Sequence, residues 1–276
     1  MKLQYLGTAA AEGFPAVFCN CEHCRAAARD LAREWRSRSQ VLIDGRLLVD
    51  FPPDSYAHAL RFGVDLSAVC HLLVTHSHTD HFYAQEFVNR GYKFAAGMKE
   101  PRLDIYGNEE VSSVYRESTR REMRAEVGEN IAFHVLHPWQ KFTVGGYEVL
   151  TLPAVHAAGE EALLFCIRAD KTVLYLNDTA PFSEEVYAFL RAEGVRADLV
   201  SMDCTQLDRA ASKRHMNLQD NVFVRQKLLE YGICGPYTKY YVTHFSHNSA
   251  PLRDRAERLS ASYGFCAAHD GLTVEV

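Results

Sequence analysis

The sequence predicts an α/β protein, and three observations carry that reading. Short apolar runs rich in β-branched residues alternate with longer helix-compatible runs along all 276 residues. The alternation recurs in both halves of the chain. Hydrophobic residues make up 47% and charged residues 24%, the balance of an ordinary globular protein. No linker, charge block, low-complexity stretch or fixed-period repeat interrupts the pattern. Residues 1–276 are therefore expected to form a single domain, within the size range of one large sandwich or barrel.

Leu3-Gln4-Tyr5-Leu6 reads as the first strand, ending at Gly7-Thr8. Residues 22–34, rich in Ala, Arg and Glu, read as a helix. Val41–Asp44 and Leu47–Asp50 form an expected hairpin turning at Gly45-Arg46. Residues 53–62 suit a short helix ended by Gly63. Cys70–Thr75 reads as a buried strand, apolar apart from its ends. Helices are expected near 82–90 and 109–126. Strands then crowd together at Ile131–Leu136, Lys141–Val144, Tyr147–Leu152, Ala162–Arg168 and Thr172–Leu176, with Gly145-Gly146 as a turn. The remainder reads as helix 183–193, strand 198–202, helix 217–231, strand 239–243, helix 250–262 and strand 272–276. Residues 91–130 look like an insertion. Its Arg116, Arg120, Arg121 and Arg124 could shape specificity or a homodimer interface, although a solvated helix face is the plainer reading.

Composition narrows the function classes. No apolar run approaches the roughly 18 residues that span a bilayer. The start, Met1-Lys2-Leu3-Gln4-Tyr5-Leu6-Gly7, turns polar too early for a signal peptide, so the expected location is cytoplasmic and no membrane partner is expected. A net charge of −5 disfavours broad nucleic-acid binding. It leaves room for a small phosphorylated substrate, because bound cations invert the charge within a site. Three of the eight cysteines crowd into six residues, which fits a metal site better than a disulfide framework.

The chemistry concentrates in His76-Ser77-His78-Thr79-Asp80-His81, an H-x-H-x-D-H string at the end of the strand read over 70–75. Four donors in six residues, imidazoles and a carboxylate, suit zinc, iron or manganese. A second cluster, Cys19-Asn20-Cys21-Glu22-His23-Cys24, offers three thiolates, a donor set that favours zinc. His23 is poorly placed to be its fourth ligand because Cys21 and Cys24 flank it. His247, three residues after His244, is better placed.

The H-x-H-x-D-H string resembles the signature of the metallo-β-lactamase superfamily, whose fold is a four-layer αβ/βα sandwich. The resemblance implies a dinuclear centre of two divalent ions (zinc, manganese or iron). In it His76, His78 and His156 hold one ion, Asp80, His81 and His244 hold the other, and Asp178 bridges. His156, Asp178 and His244 each follow an apolar strand, as His76 does. Together the C-x-C-x-x-C cluster, the Leu6-Gly7-Thr8 start, the Thr243-His244-Phe245-Ser246-His247 segment and Asp270-Gly271-Leu272 resemble the PhnP-like phosphodiesterases of the carbon–phosphorus lyase pathway. That branch implies a structural zinc on Cys19, Cys21, Cys24 and His247, a water oriented by Asp80, and a leaving group protonated by His215. Asp203 could fix a ligand's tautomer, and Asn217 could cap the following helix. Glu12 departs from the branch by placing a negative charge in the first loop. If that loop faces the site, the substrate differs from a simple cyclic phosphate. Gly13-Phe14-Pro15 with Cys19-Asn20-Cys21 also resembles PqqB, a biosynthetic relative, in which the first motif is degraded. The alternatives are therefore a PqqB-like biosynthetic role, a carboxyl-ester, thiolester or lactone hydrolase, and a non-enzymatic scaffold. Transfer-RNA maturation is disfavoured by the acidic charge.

Overall fold

A computed structural model describes residues 1–276. Its strands are β1 (Lys2–Gly7), β2 (Gln40–Ile43), β3 (Leu47–Val49), β4 (His71–Leu73), β5 (Leu103–Gly107), β6 (Ile131–Val135), β7 (Lys141–Val144), β8 (Tyr147–Pro153), β9 (Leu163–Arg168), β10 (Thr172–Leu176), β11 (Leu199–Asp203), β12 (Lys239–Thr243), β13 (Cys266–Ala267) and β14 (Thr273–Glu275). The helices are α1 (Glu22–Ala27), α2 (Leu31–Glu34), α3 (Ser55–Phe62), α4 (Glu109–Thr119), α5 (Ala125–Gly128), α6 (Glu184–Ala192), α7 (Leu218–Glu230) and α8 (Arg253–Ser262). No helix is long and apolar enough to cross a membrane.

The strands form two seven-stranded sheets, ordered β14-β1-β2-β3-β4-β5-β6 and β13-β12-β11-β10-β9-β8-β7. Period-two alternation sorts their side chains onto opposite faces. Leu3, Tyr5, Ile43, Val49 and Leu73 of the first sheet meet Val149, Phe165, Ile167, Val173 and Tyr175 of the second. The other face of the second sheet, including Leu174, Val200 and Val242, packs on Val186 and Leu190 of α6, Val224 and Leu228 of α7 and Ala256 of α8. On the first sheet, Leu42, Leu72 and Ile105 pack outward with Phe82, Phe87 and Val111. The result is the expected four-layer sandwich.

Local chemistry sets the turns. Gly145 and Gly146 have φ of 55° and 86°, so both residues of the β7–β8 turn occupy the left-handed region. Gly63 caps α3 at φ 64°. Asn217 and Asp220 form a reciprocal capping box that starts α7.

Four expectations are corrected. The helix expected over 22–34 is two short helices, because the chain turns at Asp30 (φ −141°) before α2 and then returns to the first sheet. Residues 82–90 hold a 3₁₀ helix, Ala84–Asn89, rather than an α-helix, and the helix over 109–126 stops at Thr119 before α5. Residues 91–130 are not an insertion throughout. Leu103, Ile105 and Gly107 are the alternating buried residues of β5, which is parallel to both β4 and β6 in the first sheet. The four arginines of that segment lie on the exposed side.

Candidate metal centre

One edge of the sandwich collects the functional side chains. Asp50 follows β3, His76 follows β4, His156 follows β8, Asp178 follows β10 and His244 follows β12, while Asp203 ends β11. All six strands leave their sheets at this edge, the usual place for ligand sites in α/β layers. Asp50, Asp178 and His244 have φ of 65°, 58° and 63°. Backbone strain of this kind costs about 1–3 kcal/mol per residue and persists where surrounding structure over-determines it.

Asp178 is the hub, almost fully buried. Its Oδ2 lies 3.3 Å from His76 Nε2, 3.1 Å from His81 Nε2 and 3.6 Å from His244 Nε2. Its Oδ1 lies 3.1 Å from His156 Nδ1 and 3.0 Å from His215 Nδ1. Asp80 Oδ2 stands 3.3 Å from His81 Nε2 and 3.8 Å from His244 Nε2. The sequence-predicted ligands thus fall into two sets, His76, His78, His156 and Asp178, and Asp80, His81, Asp178 and His244. Within each set the donor atoms all lie within 4.8 Å of one another.

These donors fit divalent cations. His76 Nε2 is 2.9 Å from His78 Nδ1, His156 Nε2 is 3.1 Å from the same atom, and His81 Nε2 is 3.3 Å from His244 Nε2. Lone pairs crowded this closely repel unless a proton or a cation lies among them. Burial draws the His156 imidazole down to about 4, and burial also lowers His78, so both are neutral donors near pH 7. Burial acts against charge on His81, Asp80 and Asp178 alike, but attraction between these carboxylates and the surrounding imidazoles, His244 foremost for Asp178, wins. It holds His81 well above the usual imidazole range and both carboxyls well below theirs. A bound cation would take the place of those imidazole protons.

Residues beyond the predicted set orient the donors. Asp50 Oδ2 accepts from His81 Nδ1 at 2.7 Å, while its Oδ1 accepts from Thr75 N at 2.8 Å and Thr75 Oγ1 at 2.9 Å. That contact leaves His81 Nε2 to face the cluster. Thr205 Oγ1 lies 2.7 Å from His244 Nδ1 and 3.0 Å from Asp203 Oδ2. Asp203 Oδ2 is also 3.2 Å from His215 Nδ1. Asp203 therefore acts on His215 directly and on His244 through Thr205. Although burial opposes charge there, hydrogen bonds to Asp178 and Asp203 hold the half-buried His215 up at about 10.

The cysteine cluster spans the loop before α1 and the first turn of that helix, with His247 facing it from the segment after β12. The thiol sulfurs of Cys19, Cys21 and Cys24 and one ring nitrogen of His247 all lie within 4.8 Å of one another. Cys24 Sγ is 3.6 Å from His247 Nδ1. The backbone N–H of Cys24 pulls Cys21 down to about 6, and burial pushes Cys24 up to about 12. His23 is not part of this cluster. Glu12 does not turn toward the His/Asp donors. Its Oε1 accepts from Ser246 Oγ at 2.6 Å and His247 N at 3.0 Å, so it anchors the segment between His244 and His247.

Two seven-stranded sheets flanked by helices, with these donors at one edge, define a metallo-β-lactamase fold. The chain matches the family described as beta-lactamase superfamily domain over residues 45–231 and belongs to it. A search of curated protein sequences found no significant match. Several solved structures share the fold. A diphosphatase from the PhnP family is 23% identical, with a TM-score of 0.75, covering 100% of this chain and 97% of that one. Zn²⁺-bound PqqB from Methylobacterium extorquens is 19% identical, with a TM-score of 0.71 and 100% of both chains covered. The short form of human tRNase Z is 15% identical, with a TM-score of 0.68, covering 100% of this chain and 99% of that one.

Proposed function

We propose that this chain, a metal-dependent hydrolase by fold and donor set, is a dinuclear phosphodiesterase of the PhnP-like branch acting on a small phosphorylated substrate. The observation that carries the reading is the pairing of two donor sets on one buried carboxylate, Asp178, with a third acid–base group, His215, at their rim. His76, His78 and His156 would hold one ion and Asp80, His81 and His244 the other, both sharing Asp178. When bound, such a pair supplies Lewis acidity and lowers the pKa of a coordinated water. Cys19, Cys21, Cys24 and His247 would hold a structural zinc.

The protein's own groups supply the rest. Asp80 is buried against His81 and His244 and is placed to orient the attacking water. His215 keeps Nδ1 against Asp203, which leaves Nε2–H as the proton for the departing alkoxide. Lys213 and Arg214 precede His215 in the same exposed loop and favour an anionic substrate. A second reading is a diphosphate ester. It rests on that basic pair and on the diphosphatase named among the fold neighbours.

The test is a panel of chromogenic esters with metal-replete protein. Hydrolysis of an aryl phosphodiester or a diphosphate ester, abolished by Asp80→Ala while the cysteine-bound zinc is retained, supports the reading. Carboxyl-ester turnover without phosphoester turnover contradicts it.

A further inference from the structure

We infer that Glu160 is a positioning residue for the His76–His78–His156 half of the centre. The inference rests on the metal-centre reading above. Glu160 Oε1 accepts from Ser77 N at 2.7 Å and from Asn108 Nδ2 at 2.8 Å, and its Oε2 accepts from Ser77 Oγ at 2.8 Å. Ser77 is the residue between His76 and His78. Glu160 lies four residues beyond His156. One carboxylate therefore ties the turn that carries two of the imidazoles to the loop that carries the third.

The tie joins the two sheets. The His76–His78 turn leaves β4 of the first sheet, and the His156 loop connects β8 and β9 of the second. That loop is pinned at its base by Ala154 N to Ala162 O at 2.9 Å, and Leu163 N reaches Thr75 O at 2.8 Å. Its tip, Ala157-Ala158-Gly159, has no polar side chain, and Gly159 sits at φ 85°. Glu160 is the first side-chain tether after the tip, and Glu161 follows with a contact to His137 Nδ1 at 2.8 Å. Asn108 stiffens the loop further, capping α4 through Val111 N at 2.9 Å and donating to Glu161 O at 2.9 Å. His81 and His244, by contrast, are oriented by Asp50 and Thr205. Asp50 also reaches the first half, because Thr75 Oγ1, which it binds, lies 3.1 Å from His76 Nδ1. Within the centre, Glu160 contacts only the turn and loop of the His76–His78–His156 half, so its loss should loosen that half.

Metal affinity is the direct readout. The full-length protein, stripped at the His/Asp cluster and titrated with Co²⁺ against a chromogenic chelator, should bind two ions there with the cysteine zinc intact. In Glu160→Ala, one ion should bind about 10–100-fold more weakly, the range for removing a group that orients a metal ligand. The other ion should be unaffected. The weakened ion should be the one lost in His78→Ala, so the Glu160→Ala/His78→Ala double variant should bind Co²⁺ as His78→Ala does.

Glu160→Gln keeps an acceptor for Ser77 N–H and should lose only a few-fold, which preserves the test if the alanine variant does not fold. Native affinity in both variants, equal weakening of both ions, or further loss in the double variant overturns the inference. If the wild type binds two ions and the Glu160 variants bind both with native affinity, only this inference fails. If the wild type binds none at the His/Asp cluster, the metal-centre reading fails with it.

Discussion

Asp50→Asn isolates one hydrogen bond of the centre. Asp50 is fully buried and sits at φ 65°, a conformation that Asn tolerates, so the change leaves volume and backbone intact. In the wild type the carboxylate accepts from His81 Nδ1 at 2.7 Å, which leaves Nε2 unprotonated toward Asp178 and Asp80 once a cation is present. An amide keeps its oxygen for Thr75 and turns its NH₂ toward His81. The imidazole must then accept at Nδ1 and carry its proton on Nε2, the nitrogen needed by the cation. Orienting groups of this kind are worth about 10–100-fold in metal affinity, or about 1.4–2.7 kcal/mol. Asp50→Ala should show that loss and also destabilise the stripped protein by about 2–4 kcal/mol, because Thr75 N–H and His81 then lose a buried partner. Calorimetric titration with Zn²⁺ and urea unfolding with an unchanged slope separate the two effects. Wild-type affinity in Asp50→Asn, or loss of both ions together, would refute the tautomer argument.

Two further predictions address separate groups. His215→Gln should lower kcat by about 10²–10⁴ with little change in KM, the span typical of a lost general acid. Because burial of His215 is outweighed by hydrogen bonds to Asp178 and Asp203, which raise its pKa, its acid form persists through neutral pH and is lost as pH rises through about 10, so the wild-type alkaline decline in kcat should vanish in the variant. A retained decline would assign the proton to another group. His58 titrates in the opposite sense. Burial lowers it from 6.5 to about 4, with Ser37 Oγ and Gln40 Oε1 each 2.7 Å from its ring nitrogens. The neutral ring stabilises the fold fully above pH 6.5, and that contribution of about 3 kcal/mol is lost as pH falls toward 4. Nearby Asp270, which burial raises to about 6, has the reverse sign: its contribution is present below 3.8 and lost as pH rises through 6. Unfolding free energies of His58→Gln across pH 4–7 should therefore lack the acid decline assigned to His58, and an identical profile would refute it.

The centre was readable in the sequence where donors are contiguous or follow a strand. His76 to His81 occupy one turn, and His156, Asp178 and His244 each come within three residues of a strand end. Asp50 obeys the same rule, directly after Leu47-Leu48-Val49, yet it bears no spacing relation to the motif and reads as one more acid among 35. Glu160 and Thr205 leave no sequence signal, since their partners come from other strands. β5 was obscured because five alternating residues sit among charged segments, so tertiary pairing rather than local pattern makes them a strand. The α1–α2 break reflects the same override, where helix-forming residues yield to a chain that must return to the sheet.

Anomalous diffraction from crystals of the metal-loaded protein, collected at the zinc, iron and manganese edges, tests the central claim most directly. The account predicts two ions on either side of Asp178, one against His76, His78 and His156 and the other against Asp80, His81 and His244, with a separate zinc among Cys19, Cys21, Cys24 and His247. A single ion or none at the Asp178 cluster, in protein shown to be metal-loaded, would contradict it.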